Sequence, residues 1–177
     1  MDISNLWEQL NDALDYAPNF QNKSIAGVDG ETIIGIESKL GIKLAEDTRD
    51  AIKIHNEREH IGYDENIYDD ARDHLAAYNN ITENIRKQSN DRATTTDDDL
   101  MNNEAFSTLP CELLIIGEGM DDYTEQYLLS IRSGRIYLAT HNLPEWELLG
   151  TFGDWIQMGI KNAIKEKRSI LKEHANI

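Results

Sequence analysis

The stretch Tyr127-Leu128-Leu129-Ser130-Ile131-Arg132-Ser133-Gly134-Arg135-Ile136-Tyr137-Leu138-Ala139-Thr140 decides the fold class. Two runs rich in aliphatic, aromatic and β-branched residues flank Ser133-Gly134, a pair suited to a tight reversal, so the spacing predicts a β-hairpin. Just upstream, Cys111 to Ile116 is an apolar run closed by Gly117-Glu118-Gly119, which reads as a further strand. Downstream, Phe152, Trp155, Ile156, Ile160, Ala163 and Ile164 recur at helical spacing, and Asp154 stands three residues after Thr151 in the pattern of a capping box. The predicted final helix therefore starts near Thr151.

The N-terminal half has a helical period. Ile3, Leu6, Trp7, Leu10, Ala13 and Leu14 share one helix face over residues 3–14, with Asp2 as the expected N-cap. Residues 15–27 contain Pro18 and Gly27 and read as a linker. A second helix is expected from the N-cap Asp29, with Ile33, Ile36 and Leu40 on one face and Gly41 at its end. Ile42-Lys43-Leu44 is a short extended link to a third helix, with Ala51, Ile52 and His55 facing inward. Residues 66–87 also carry a helical pattern, and 88–108 are polar enough to read as a loop. Helices, then strands, then a helix give an α+β class rather than alternating β-α-β units.

Composition narrows the function. The 177 residues suffice for one domain, whose core at this size removes roughly 70% of the unfolded chain's surface from water. There are 33 acids and 17 bases, for a net charge of -16. Such a surface repels phosphate backbones and anionic lipids, which argues against nucleic acid or a membrane as a partner. The acidity is concentrated. Glu57 to Glu125 holds 18 acids against 5 bases, and no Lys or Arg occurs between Arg92 and Arg132. The C-terminal residues reverse the sign, with Lys161, Lys165, Lys167, Arg168 and Lys172. A single cysteine, Cys111, rules out an internal disulfide and reads as a core thiol. No secretory leader and no apolar run of 18 residues is visible, so a cytoplasmic location is expected.

Catalytic signatures fail on inspection. There is no phosphate-binding loop with a terminal Gly-Lys-Ser/Thr, and no Gly-x-Ser-x-Gly elbow. Pro110-Cys111 lacks the second thiol of a zinc deaminase. His55, Glu57, Glu59 and His60 match no helical metal motif, because histidines five apart diverge on a helix. Read as an enzyme, the chain would be a metal-assisted hydrolase using His55, Glu57, His60 and the acid cluster. The expectation is instead no enzyme, no metal and no cofactor. The acids Asp97, Asp98, Asp99, Glu104, Glu118, Asp121, Asp122 and Glu125 read either as a solvated surface or as a protein-binding patch. Tyr123 is a candidate anchor within that patch. Trp146, in the turn-like Asn142-Leu-Pro-Glu-Trp-Glu147, is the tryptophan expected to be exposed.

Two stretches resemble a known family. Val28-Asp-Gly-Glu-Thr-Ile-Ile-Gly-Ile-Glu37-Ser-Lys-Leu40-Gly41-Ile-Lys-Leu44 is similar to the opening of the SUKH superfamily, the Smi/Knr-like domain, in which a capped helix ends in Glu-x-x-Leu-Gly-x-x-Leu-Pro. Ala45 replaces that Pro, and Asn56-Glu57 stands where Asn-Gly is usual. Leu114-Ile-Ile-Gly117, Gly119-Met-Asp-Asp-Tyr123, Gly134-Arg-Ile-Tyr137, His141 and Leu148-Leu-Gly-Thr-Phe-Gly-Asp-Trp-Ile156 resemble its central sheet and closing helix, without the usual Trp and Pro of the first strand. The resemblance covers roughly residues 28–57 and 113–160.

The resemblance implies a mixed, mainly antiparallel β-sheet flanked by N- and C-terminal helices. The expected division is a helix and linker over 1–27 and a SUKH-like domain over 28–177, with 58–112 a helical and acidic-loop insertion. It also implies binding: an immunity protein that neutralises one cognate toxin delivered by a contact-dependent, Rhs-type or type VI system. The toxin is expected to present a basic surface, to act in the cytosol and to be blocked at its active site. The alternative implied by the fungal relatives is a regulatory interaction module without a toxin. The assembly expected is a monomer or a weak homodimer.

Overall fold

A computed structural model of the chain describes residues 2–16, 24–58, 80–84, 113–118, 125–131, 133–140 and 146–175. Its elements run α1 (Ile3–Ala13), β1 (Ser24–Ala26), α2 (Gly30–Leu40), α3 (Glu46–Ile54), β2 (His55–Arg58), β3 (Leu113–Glu118), β4 (Glu125–Ser130), β5 (Arg135–Thr140), β6 (Glu147–Thr151) and α4 (Phe152–Ala175). The fold is α+β. A four-stranded sheet has the order β3-β4-β5-β6, and β1 pairs with β2 in a separate ribbon. All described pairings are antiparallel.

Local chemistry sets the helix ends. Asp2 accepts the Asn5 N–H and Asp29 accepts the Thr32 N–H at 2.7 Å, so both predicted N-caps are occupied as expected. Gly41 ends α2 in the left-handed region at φ 68°. At the start of α4, Asp154 Oδ2 accepts from the Thr151 N–H at 2.8 Å and from its hydroxyl at 2.9 Å, while Thr151 Oγ1 accepts the Asp154 N–H. This is the reciprocal box read from the sequence.

One core joins these elements. Trp7 and Leu10 of α1, Ile33 of α2, Ile52 of α3, Leu114 and Ile116 of β3, Leu129 of β4 and Trp155 of α4 are fully or almost fully buried in it. A chain of rings runs through its centre. Tyr127 packs on Trp155 at 5.4 Å, Trp155 meets Phe152 edge-on at 5.7 Å, and Phe152 meets Trp7 edge-on at 6.4 Å. Edge-to-face pairs of this kind contribute about 0.5–1.5 kcal/mol each beyond area burial.

Five local expectations change. Residues 15–27 are not wholly a linker, because 24–26 form β1. His55 does not end a helix; it opens β2 with extended backbone, φ -138° and ψ 120°. The cause is pairing: β1 offers Ile25 opposite Glu57, and Gly27 lies so close to α3 that a Cβ there would meet the Lys53 carbonyl oxygen at 1.8 Å. The first sheet strand runs on past Ile116, since its ladder to β4 continues through Gly117 and Glu118 after a bulge. Glu147–Thr151 is a strand the sequence reading did not expect, and it completes the sheet beside β5. On α4, Ile164 faces solvent rather than the core. Of the helix expected over 66–87, residues 81–84 are helical; 66–79, 85–87, the 88–108 loop and Cys111 lie outside the described residues.

Candidate protein-binding surface

The sheet register gathers several predicted site positions at one end. Glu118 closes β3 opposite Gln126, and Glu125 opens β4 opposite Thr140. Glu147 opens β6 opposite Leu138, with half-buried Trp146 immediately before it. With neighbouring strands about 4.8 Å apart, these positions lie within roughly 15 Å across the sheet. Asp97, Asp98, Asp99, Glu104, Asp121, Asp122 and Tyr123 lie outside the described residues. The chain leaves β3 at Glu118 and returns at Glu125, so the segment containing Asp121, Asp122 and Tyr123 is joined to that same end.

The sheet adds a feature that the sequence reading missed. Side chains alternate across it. Leu114, Ile116, Tyr127, Leu129 and Ile136 belong to the core. The opposite face carries Ile115, Leu128, Tyr137 and Leu148, which are in register as successive cross-strand partners. Ile115 is 41% exposed and Leu148 48% exposed, so this apolar row ends in open aliphatic side chains on both edge strands. The signal was present in Leu113-Leu-Ile-Ile116, where apolar residues do not alternate with polar ones, a pattern of strands covered on both faces.

Two polar arrangements hold the surroundings in place. Glu37, 7% exposed, accepts the Leu44 N–H at 3.0 Å and pairs with the Arg49 guanidinium at 3.4 Å, locking the turn between α2 and α3. Asn56 of β2 donates to Asn80 Oδ1 at 2.8 Å and Thr82 Oγ1 at 2.7 Å, and accepts the Thr82 N–H at 3.2 Å. Burial and the charge of Glu166, in the interior of α4, raise the Tyr16 phenol to about 12. The backbone N–H of Thr32 lowers the Asp29 carboxyl below its ordinary value.

The His55 ring lies edge-on to Trp7 at 5.4 Å, a packing role. Among the described residues, no three His, Cys, Asp or Glu side chains come together as a metal site. No described helix is long and apolar enough to cross a membrane.

Comparison with known proteins supplies the family. No curated protein matches the chain significantly. The model of the SMI1 / KNR4 family (SUKH-1) matches residues 27–158, about three quarters of the chain. That span runs from the approach to α2 into the first turns of α4 and contains both stretches that carry the resemblance, save the last two residues of the second. The chain therefore belongs to the SMI1 / KNR4 (SUKH-1) family.

Proposed function

We propose that this protein is an immunity protein that binds a cognate antibacterial toxin in the cytoplasm and occludes its active site. Its family is associated with toxin immunity and its members are generally non-enzymatic. The observation that carries the reading to this chain is the charge distribution. Thirteen of the 16 excess negative charges fall between Glu57 and Glu125, and the sheet brings Glu118 and Glu125 to one end beside Glu147 and Trp146. A toxin that acts on nucleic acid is basic where its substrate binds, and an acidic surface can occupy that site. Complementary charge accelerates encounter, while apolar and aromatic anchors supply much of the affinity. Asp97, Asp98, Asp99, Glu104, Glu118, Asp121, Asp122 and Glu125 provide the charge in this reading, with Tyr123 and Trp146 as anchors.

The test is association with the product of the adjacent toxin gene. Reversing Asp121, Asp122 and Glu125 together should slow association and flatten its salt dependence. Unchanged rates and an unchanged salt slope would remove the acidic patch from the account. A neighbouring gene that encodes no toxin, with no growth rescue on co-expression, would leave the regulatory module as the better reading.

A further inference from the structure

Two helices pack side by side on the core and carry opposite charge. α1 and α4 run in the same direction: Trp7 meets Phe152 early in both, and Asp15 pairs with Lys167 further along. Each turns its buried stripe inward. The outward face of α1 is acidic. Glu8 and Asp12 are exposed, away from buried Leu6, Trp7 and Leu10, and no Lys or Arg precedes Lys23. The outward face of α4 is the reverse. Lys161, Ile164, Lys165, Arg168, Leu171 and Lys172 follow one another at helical spacing as a single stripe. All six are exposed. Glu166, an acid within the same stretch, is 7% exposed and lies on the other side of the helix. Among the described residues, none of the four bases in the stripe is ion-paired within its own chain. Ile164 and Leu171 are 38% and 60% exposed between them.

Such a stripe calls for an occupant that brings carboxylates. The net charge of -16 disfavours phosphate backbones and anionic lipids, whereas the acidic face beside it belongs to every copy of the chain. We propose that α1 and α4 together form a self-complementary surface on which a second copy of this chain docks. A two-fold axis running along the helices, midway between them, sets α1 of each copy over α4 of the other. Acids then face bases twice, and the contact covers Ile164 and Leu171 of both copies. The other two-fold arrangement, with its axis across the helices, sets α1 on α1 and α4 on α4. It places like charges opposite one another, which is repulsive. Charge therefore selects one arrangement of the two. Exposed ion pairs contribute little each, so the dimer is weak and reversible. The inference goes beyond the toxin reading and uses none of the residues assigned to it.

Sedimentation velocity of the full chain, from about 1 to 200 µM near physiological salt, tests it. The unaltered chain should show a monomer–dimer equilibrium. Two charge-reversed variants probe the two helices: Lys165→Glu with Arg168→Glu, and Glu8→Lys with Asp12→Lys. All four positions are exposed, so both variants should keep the circular dichroism of the unaltered chain. Each variant alone should self-associate about 10-fold or more weakly. Mixed in equal amounts, the two should form a heterodimer, because every acidic face again meets a basic one. The Glu8 and Asp12 variant is also less negative overall, so association governed by net charge would strengthen it instead. A chain that stays monomeric throughout, a variant that dimerises as well as the unaltered chain, or a mixture that stays monomeric would each overturn the proposal. So would binding of labelled duplex DNA or anionic vesicles by the unaltered chain that Lys165→Glu with Arg168→Glu abolishes, since the stripe would then have another occupant.

Discussion

Glu37→Ala is the most informative single perturbation of the fold. The carboxylate is 7% exposed and carries two contacts: the Leu44 N–H at 3.0 Å and the Arg49 Nε at 3.4 Å. Its removal leaves the Leu44 N–H without an acceptor in a buried turn. A hydrogen bond to a charged group contributes about 1.5–3 kcal/mol. The ion pair adds less, because the Arg49 side chain is a third exposed and solvent screens it; about 0.5–1 kcal/mol is the fair share. The expected loss is therefore roughly 2–4 kcal/mol, or about 5–15 °C in Tm for a domain of this size. Urea unfolding should show a lower midpoint with an unchanged slope. Glu37→Gln keeps an acceptor for Leu44 and should recover more than half of the loss. A double-mutant cycle with Arg49→Ala should give a coupling near the ion-pair share. If Glu37→Ala costs less than about 0.5 kcal/mol, the carboxylate does not hold the turn.

Two further perturbations test other parts of the structure. Asp154→Ala removes the reciprocal cap of α4 and should cost about 1 kcal/mol, seen as a fall of about 2–4 °C in Tm. The raised Tyr16 pKa favours folding while the phenol stays protonated. Its contribution is complete below the unfolded value near 10 and is lost as pH rises through the folded value of about 12. Tyrosinate absorbance, with Tyr16→Phe as the blank, should place the transition above 10. Glu166→Gln should lower it without restoring the ordinary value, because desolvation by burial is the larger cause.

The parts of the fold governed by short-range chemistry were legible in the sequence. Asp2, Asp29, Gly41 and the Thr151–Asp154 pair are local signals, and each does what its residue type dictates. The periodic faces of α1 and α4 reported burial because a helix repeats its neighbours every turn. What escaped depended on distant partners. β1 exists because β2 pairs with it across the α2–α3 unit, and Ser24-Ile-Ala26 alone has too few residues to signal a strand. β6 sits in a stretch with Pro144 before it and Gly150 within it, and only the waiting edge of β5 makes it a strand. His55 was drawn out of a helical pattern by the same kind of pairing. The acidic surface was legible as composition, since charge is counted without a fold. The apolar row Ile115–Leu128–Tyr137–Leu148 was signalled only in its first strand, by the unbroken run Leu113–Ile116, because the rest depends on the register of four strands.

The central claim is that this SMI1 / KNR4 family member disarms a toxin by binding it. The most direct measurement is growth of cells expressing a toxin domain encoded by an adjacent gene, with and without this protein. It should be paired with the affinity of the purified pair measured across a salt series. The account predicts restored growth, a one-to-one complex, and affinity that weakens as salt rises. Growth that stays arrested while the protein is present in its folded form, with no complex at low salt, would contradict it.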